Sequence, residues 1–295
     1  MYCNTRQSDI QPLLERIGSP GDPERASAIA SLFQAAQESD GARYDVAAAC
    51  LKLRQQEQLS LDEIAPYAPA ILAFWNAVHA RVKPLQQEGP DLEWILEDEY
   101  RGPRALAEVL LDLMGYLPAA HVAPSFEEAL ALADPRLKCF AITSLLRHGH
   151  TVDPRQIEAV AASHEMRMIF WIGLRRLGME WLMPERWSAP EQLAASDLVR
   201  WAAHPNELGV PPEEIELMER FLVAGEIHAK DEVYLFRFRE YPRPWAPGEG
   251  WMAGIAGPIR DGQAQGSPWS SFKPWDSMSP REHFEKLYYR GGCCG

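Results

Sequence analysis

Histidine is the first residue type to consider, because imidazole transfers protons and binds metals near neutral pH. His148 and His150 flank Gly149, but no nearby carboxylate or cysteine completes a metal-ligand set. We predict that His148 ends a helix and satisfies its last carbonyls, with Gly149 as a left-handed C-cap. His164 is followed by glutamate as in the zinc motif H-E-x-x-H, yet Met168 occupies the place of the second histidine. Neither group predicts a metal site, and we expect no cofactor.

Enzyme signatures are missing elsewhere in the sequence. It contains no phosphate-binding P-loop, no G-x-S-x-G nucleophile turn and no C-x-x-C pair. Acidic residues are too numerous for a glycosidase pair to be recognised from one sequence. An enzyme site where a helical body meets a C-terminal module stays open as the alternative function. Its candidate groups are Arg237, Arg239, Asp276 and His283.

The densest charge run is acidic and comprises Asp91, Glu93, Glu97, Asp98 and Glu99. The whole chain carries 29 Lys and Arg against 42 Asp and Glu, a formal net charge of −13 at pH 7. This charge disfavours binding to nucleic acid and to anionic membranes, both of which attract cationic proteins. It favours encounter with a basic protein, for which the run is a candidate docking surface. A solvated helix face is the alternative interpretation.

Binding affinity needs desolvated anchors, because exposed charges contribute little to it. Trp245 and Trp269 lie in segments rich in proline and glycine, where exposure is expected. We therefore predict Trp245 and Trp269 as partner-binding residues together with the acidic run. Packing inside a small sheet is the alternative for the C-terminal aromatic residues.

Helix start signals are frequent in this chain. Asp-Pro pairs place an N-cap acceptor before a proline at the first helical position; they are Asp22-Pro23, Asp134-Pro135 and Asp153-Pro154. Capping-box spacing occurs at Ser60 and Glu63, Ser125 and Glu128, Ser188 and Glu191, and Ser279 and Glu282. Apolar residues recur with the helical period, and we find no alternating strand pattern before about residue 228. We expect the glutamates at 213, 214, 216 and 219 to lie at a helix start.

Two similar helical stretches run from Leu137 to Gly149 and from Met166 to Gly178, with a short helix from Pro154 to Ala162 between them. This is the pattern of a helical-hairpin solenoid. The chain resembles HEAT-type repeats through Asp134-Pro135-Arg136, Ala141 and Leu145, and then Ile157, Val160 and Ala161. An irregular helical bundle shares each of these features.

Residues 229–295 are richer in proline and glycine and are predicted to form a small module. Glu232 to Arg239 is predicted to be a strand with Tyr234, Phe236 and Phe238 on one face, paired antiparallel with Trp251 to Ala256. Ser279 opens a final helix. The predicted fold class is mostly α: a HEAT-like helical-hairpin solenoid or irregular helical array over residues 1–228, with a small C-terminal antiparallel β module over 229–295.

The overall plan also resembles uncharacterised bacterial HEAT-repeat proteins, some of which are similar to immunity proteins. The resemblance implies stoichiometric binding of a protein partner, such as a toxin domain that the chain would neutralise. The residues themselves favour protein binding over catalysis. The first 16 residues lack an apolar signal core and the cysteines are few, so we expect a cytoplasmic protein.

Overall fold

Helices occupy most of the chain, and a small antiparallel sheet follows them, as the sequence predicts. The computed structural model describes residues 17, 24–87, 93–204, 207–212, 214–224, 231–239, 250–260, 263–264 and 273–288. The chain divides into two units, Met1–Gln156 and Ile157–Gly295.

All the regular secondary structure described in the first unit is helical. Its helices are α1 Arg25–Ala35, α2 Asp40–Gln55, α3 Leu61–Ile64, α4 Ala68–Val82, α5 Asp98–Met114, α6 Ala119–Leu130 and α7 Pro135–Arg147. Short 3-10 turns lie at Ala65–Tyr67, Lys83–Leu85 and Glu93–Leu96. The next helix, α8 Pro154–Ala162, begins just before the division between the units.

Helix α5 is central in the first unit, because α2, α4 and α7 all pack on it. Its C-terminal end approaches α7 closely: Ser144 Oγ donates a hydrogen bond of 3.0 Å to the carbonyl of Leu111. A Cβ on Gly115 would lie 2.5 Å from Ser144 Oγ and would also collide with the Arg147 guanidinium. The backbone of Gly115 is helical (φ −62°), a conformation open to any residue. Lack of space for a side chain is therefore the reason for glycine at this position.

The second unit combines helices with the sheet. After α8 come α9 Arg167–Arg176, a 3-10 turn Glu180–Leu182, α10 Glu185–Ser188 and α11 Pro190–Ala202. The strands are β1 Glu214–Val223, β2 Asp231–Arg239, β3 Trp251–Ala256, β4 Ile259–Arg260, β5 Gln263–Ala264 and β6 Lys273–Pro274. Helix α12, Pro280–Tyr288, closes the described chain.

Four strands form one antiparallel sheet in the order β1-β2-β3-β6, and β4 and β5 pair separately. Residues Tyr234, Phe236 and Phe238 point to the face covered by α11. Val233 and Leu235 point to the opposite face, where Phe284 and Leu287 of α12 cover them. The predicted pairing of β2 with β3 and the predicted face of the three aromatic residues are confirmed.

The prediction that residues up to about 228 are helical is wrong for β1. Glu214, Glu216 and Glu219 lie on this strand and not at a helix start, and position 213 is outside the described residues. A β-bulge between Leu217 and Glu219 interrupts the alternation of side chains, which hides the strand pattern in the sequence. The sheet therefore begins before residue 229, and the predicted boundary falls between two paired strands of the second unit.

The cap predictions are confirmed where the serine or aspartate precedes a helix. The Asp134 and Asp153 side chains accept hydrogen bonds at the starts of α7 and α8. Ser60 with Glu63, and Ser279 with Glu282, form capping boxes.

Two of the cap predictions are wrong. Ser125 is buried inside α6, and Ser188 ends α10 and donates to the Glu185 carbonyl instead of capping α11. Asp22-Pro23 lies outside the described residues.

In the described part of the chain, no helix combines the length and the apolar character that a bilayer crossing requires.

Candidate functional site

The predicted partner-binding residues are only partly described by the structure. Asp91, Trp245 and Trp269 lie outside the described residues. Glu93 begins a 3-10 turn, but its side chain is not among those described. The structure therefore locates three of the seven predicted side chains: Glu97, Asp98 and Glu99.

These three residues form an exposed acidic turn at the start of α5. Glu97 is the N-cap residue, and its side chain makes no cap hydrogen bond. The Asp98 carboxylate is fully exposed, 3.7 Å from Arg101 Nη1. The acidic turn follows Trp94, whose buried ring packs edge-on against Tyr100 at 4.7 Å between centroids. Carboxylates at the start of a helix interact favourably with the helix dipole. The acidic turn therefore also stabilises α5, apart from any role in binding.

A tryptophan that sequence reasoning passed over is the most exposed large apolar side chain described. Trp181, in the 3-10 turn after α9, is 77% exposed. The sequence signal that could have found it is its place in a short segment after the Gly178 C-cap, outside any apolar helical stripe. The prediction named Trp245 and Trp269 instead, because they lie in segments rich in proline and glycine.

The turn that carries Trp181 is well fixed. Gly178 takes a left-handed conformation (φ 67°), and the Met179 amide donates to the Leu174 carbonyl, closing the end of α9. Leu182 and Met183 amides donate to the carbonyls of Met179 and Glu180, both at 3.0 Å. The Met183 side chain, just after the turn, is buried. Trp181 is thus presented to solvent on an ordered backbone, which lowers the entropy lost on binding.

Strand β1 is the second exposed feature of this unit. Every one of its ten residues is at least partly exposed, and Leu217 and Leu222 reach 39% and 64%. It pairs with β2 along one edge, and no described strand pairs with its other edge. Ion pairs tie it to its neighbours: Glu216 to Arg237 of β2 at 2.6 Å, and Arg220 to Glu191 of α11 at 2.7 Å.

The candidate enzyme groups fall into two places within the second unit. Arg237 and Arg239 form ion pairs with Glu216 and Glu214 on the neighbouring strand. Asp276 and His283 meet elsewhere, with 3.5 Å between Asp276 Oδ1 and His283 Nε2. The His283 ring is 1% exposed and stacks on Trp275 with 4.3 Å between centroids. The structure therefore brings together an acid and an imidazole that sequence spacing did not connect.

One histidine singled out from the sequence lies at the end of a helix. His148 is the C-cap residue of α7 and Gly149 follows it with φ 76°, as predicted, but the His148 ring bonds to the backbone of Met114 in α5 and not to the last carbonyls of α7. Burial lowers the pKa of His148, which disfavours its charged form. Within the ranges that the structure describes, no three His, Cys, Asp or Glu side chains are close enough to hold a metal ion.

A buried arginine is a feature of the second unit that the sequence did not reveal. Arg167 begins α9 and is 0% exposed. Its guanidinium donates to the carbonyls of Ala161, Ala162 and Gln192, at 2.8 to 3.1 Å. The Trp187 ring lies over it at 4.4 Å from the centroid. Arg167 therefore joins the end of α8 to the start of α11 through backbone carbonyls.

A buried aspartate holds a comparable position in the first unit. Asp134 is 0% exposed and accepts two hydrogen bonds from Arg104, at 2.6 and 3.1 Å. Tyr100 Oη donates a third at 2.8 Å, and the Arg136 amide donates a fourth. Burial opposes ionisation, but the ion pair and these hydrogen bonds outweigh it, so the pKa of Asp134 lies below its ordinary value.

The second unit contains a buried aspartate with far fewer partners. Asp197, on α11, is 4% exposed, and its ionic contact is Arg200 Nη2 at 3.7 Å. The Arg200 side chain is 46% exposed, so solvent screens the pair. Burial raises the pKa of Asp197, and the arginine offsets only part of the rise.

Comparisons of this chain with family models, with curated proteins and with solved structures found no match.

Proposed function

We propose that this protein acts by stoichiometric binding of a protein partner whose surface is basic, and that Trp181 is an anchor residue of the complex. The observation that carries the proposal is the 77% exposure of Trp181 on an ordered turn. Tryptophan is enriched among the few residues that supply most of the binding energy in protein interfaces. The indole also offers one N–H donor, which adds direction to the contact.

Charge supports a basic partner. The net charge of −13 creates a negative potential that speeds encounter with a cationic surface. The acidic turn is an exposed source of that field. Such charges affect the association rate more than the final affinity, because exposed ion pairs are weak.

The experiment is affinity purification with the tagged full-length chain, followed by binding kinetics with the partner so found. We expect a complex of fixed stoichiometry that Trp181→Ala weakens by at least about 30-fold, since interface tryptophans commonly contribute 2 kcal/mol or more. Leu61→Ala is the matched control, because Leu61 is also a large exposed apolar residue, at 41%. Equal affinity of the two variants would contradict the role of Trp181.

The acidic turn is tested separately through association rates. Glu97→Gln, Asp98→Asn and Glu99→Gln together should slow association and reduce its dependence on salt, with little change in thermal stability. An unchanged association rate would remove the acidic turn from the proposal while leaving Trp181 in place.

Toxin neutralisation is the specific form of this proposal that the resemblance to immunity proteins suggests. A toxin that grips an anionic substrate has a basic surface that complements this acidic chain. Under this form of the proposal, the purified chain suppresses the activity of its partner at equimolar amounts, and Trp181→Ala requires a large excess.

Catalysis is the second candidate function, favoured by the contact between Asp276 and His283. A carboxylate can orient an imidazole for proton transfer. This candidate predicts turnover of a small molecule by the purified protein alone, abolished in His283→Gln with the fold retained. Such turnover would overturn the binding proposal.

A further inference from the structure

We infer that the outer edge of β1 receives an extended segment of the partner as an added antiparallel strand, and that this segment alternates Lys or Arg with apolar residues. The inference rests on the proposed function and specifies how a basic partner docks. It adds a second contact surface to the one that Trp181 provides.

The backbone of β1 supplies the first argument. The strand is ten residues long, whereas strands most often have about five or six. It uses one edge to pair with β2 along its whole length, and no described strand occupies the other edge. An edge of this length offers a row of N–H and C=O groups, and strand addition draws affinity from such main-chain hydrogen bonds.

The charges of β1 indicate what lies opposite them. Glu214 and Glu216 are paired in register with Arg239 and Arg237, and Glu219 with Leu235, so the three glutamates share the face that α12 partly covers. All three are exposed. Glu214 and Glu216 already form ion pairs with Arg239 and Arg237, whereas Glu219 has no ion pair within the described residues. Opposite charges directly across a strand pair are favourable, so the added strand has a basic residue opposite Glu219 and further basic residues on the same acidic face.

The other face of the edge carries two exposed leucines. Leu217 and Leu222 are opposite Phe236 and Glu232 of β2, which places both leucines on the α11 face. They are two of the five large apolar side chains with high exposure in the described structure. Because side chains alternate between faces along a strand, apolar residues of the added strand meet these leucines.

A second copy of this chain fits the edge poorly. The α12 face of β1 holds Glu214, Glu216 and Glu219 and no basic residue, so pairing β1 with itself would oppose like charges on that face. Arg220 points to the α11 face and is already paired with Glu191. Charge complementarity therefore selects a basic partner strand.

The first test uses a synthetic decapeptide that alternates lysine with valine, titrated into the full-length chain by calorimetry. Its control has the same composition with all lysines in one half. Two further peptides are N-methylated at the lysines or at the valines. Because successive N–H groups point to opposite edges of a strand, each methylation blocks one edge. We expect the alternating peptide to bind, the control to bind at least roughly tenfold more weakly, and only one methylated peptide to retain binding.

A pair of charge reversals separates this site from general attraction. Glu219→Lys and Glu127→Lys change the net charge of the chain equally, and both glutamates are exposed. We expect Glu219→Lys to weaken peptide binding roughly fivefold or more, and Glu127→Lys to change it less than twofold. Protection of β1 amides from hydrogen exchange in the complex is the accompanying structural measurement.

Several results would overturn the inference. These are equal binding of both methylated peptides, equal effects of the two charge reversals, absence of peptide binding, or a dimer of the chain that forms through β1. None of these results would contradict a partner complex that depends on Trp181. Measurement of that complex tests the proposed function separately. Conversely, loss of that complex with retained peptide binding would remove the proposed function and leave the edge site.

Discussion

Two buried aspartates, one in each unit, have opposite electrostatic surroundings. Asp134 has Arg104 in a two-pronged ion pair, a tyrosine hydroxyl and a backbone amide, and its pKa is lowered. Asp197 has one screened arginine at 3.7 Å, and its pKa is raised. Burial is thus not what decides whether a carboxylate stabilises its fold. The number and burial of its partners decide it.

The largest expected effect is that of Asp134→Asn. Removing the charge breaks the two-pronged ion pair with the Arg104 guanidinium, whose side chain is 11% exposed. We expect the free energy of unfolding to fall by about 3 kcal/mol at pH 7. Asp153→Asn is the matched control, because Asp153 caps α8 in the same way but is exposed. Chemical denaturation measures both, and equal losses would show that the cap, not the ion pair, accounts for the effect.

A substitution of the same type should act in the opposite direction in the second unit. Asp197→Asn removes a buried charge that its surroundings compensate poorly, and Arg200 remains solvated. We expect an increase in the free energy of unfolding of about 1 kcal/mol at pH 7. Destabilisation in the same denaturation assay would mean that Asp197 has stronger compensation than the single ion pair provides.

The two substitutions should also differ in their pH dependence. The folded state lowers the pKa of Asp134, so its contribution is complete above the unfolded value of about 4 and is lost as the pH falls through the folded value. The folded state raises the pKa of Asp197, so its penalty is present at high pH and disappears as the pH falls through that raised value. Denaturation of wild type and variants from pH 7 to pH 3 should show the Asp197→Asn difference closing first.

The capping boxes calibrate the comparison, because the described part of each unit contains one of them. Ser60→Ala and Ser279→Ala should each cost about 1 kcal/mol, since both serines accept from the N3 amide and both glutamates return the bond. Similar losses in thermal denaturation would indicate that the two units respond alike to a local change. Unequal losses would indicate that part of the difference between Asp134→Asn and Asp197→Asn comes from a general difference in how the two units respond to substitution.

The sequence predicted features that depend on neighbours along the chain. Asp134-Pro135 and Ser60 with Glu63 mark helix starts because their hydrogen bonds span three residues or fewer. β1 was missed because it is rich in glutamate, leucine and methionine, which favour helices, and because the bulge at Met218 disrupts its alternation. Pairing with β2 overrides these local preferences.

The candidate surfaces were predictable only in part. Exposure of the acidic turn follows from its charge, whereas exposure of Trp181 does not follow from its residue type, since Trp75 and Trp94 are buried. The burial of Arg167 could not be anticipated, because its acceptors are backbone carbonyls of α8 and α11, and carbonyls have no sequence signature. The contact of Arg167 with Gln192, 25 residues away, is part of what buries it.

The contact at Gly115 has an evolutionary consequence. Any side chain there would displace the Arg147 guanidinium and Ser144, so substitution requires coordinated change in two helices. We therefore expect few amino-acid substitutions at this position, even where the surface residues around it vary. Distant relatives of this chain should therefore keep a glycine at the end of α5 together with a small hydroxyl residue on α7.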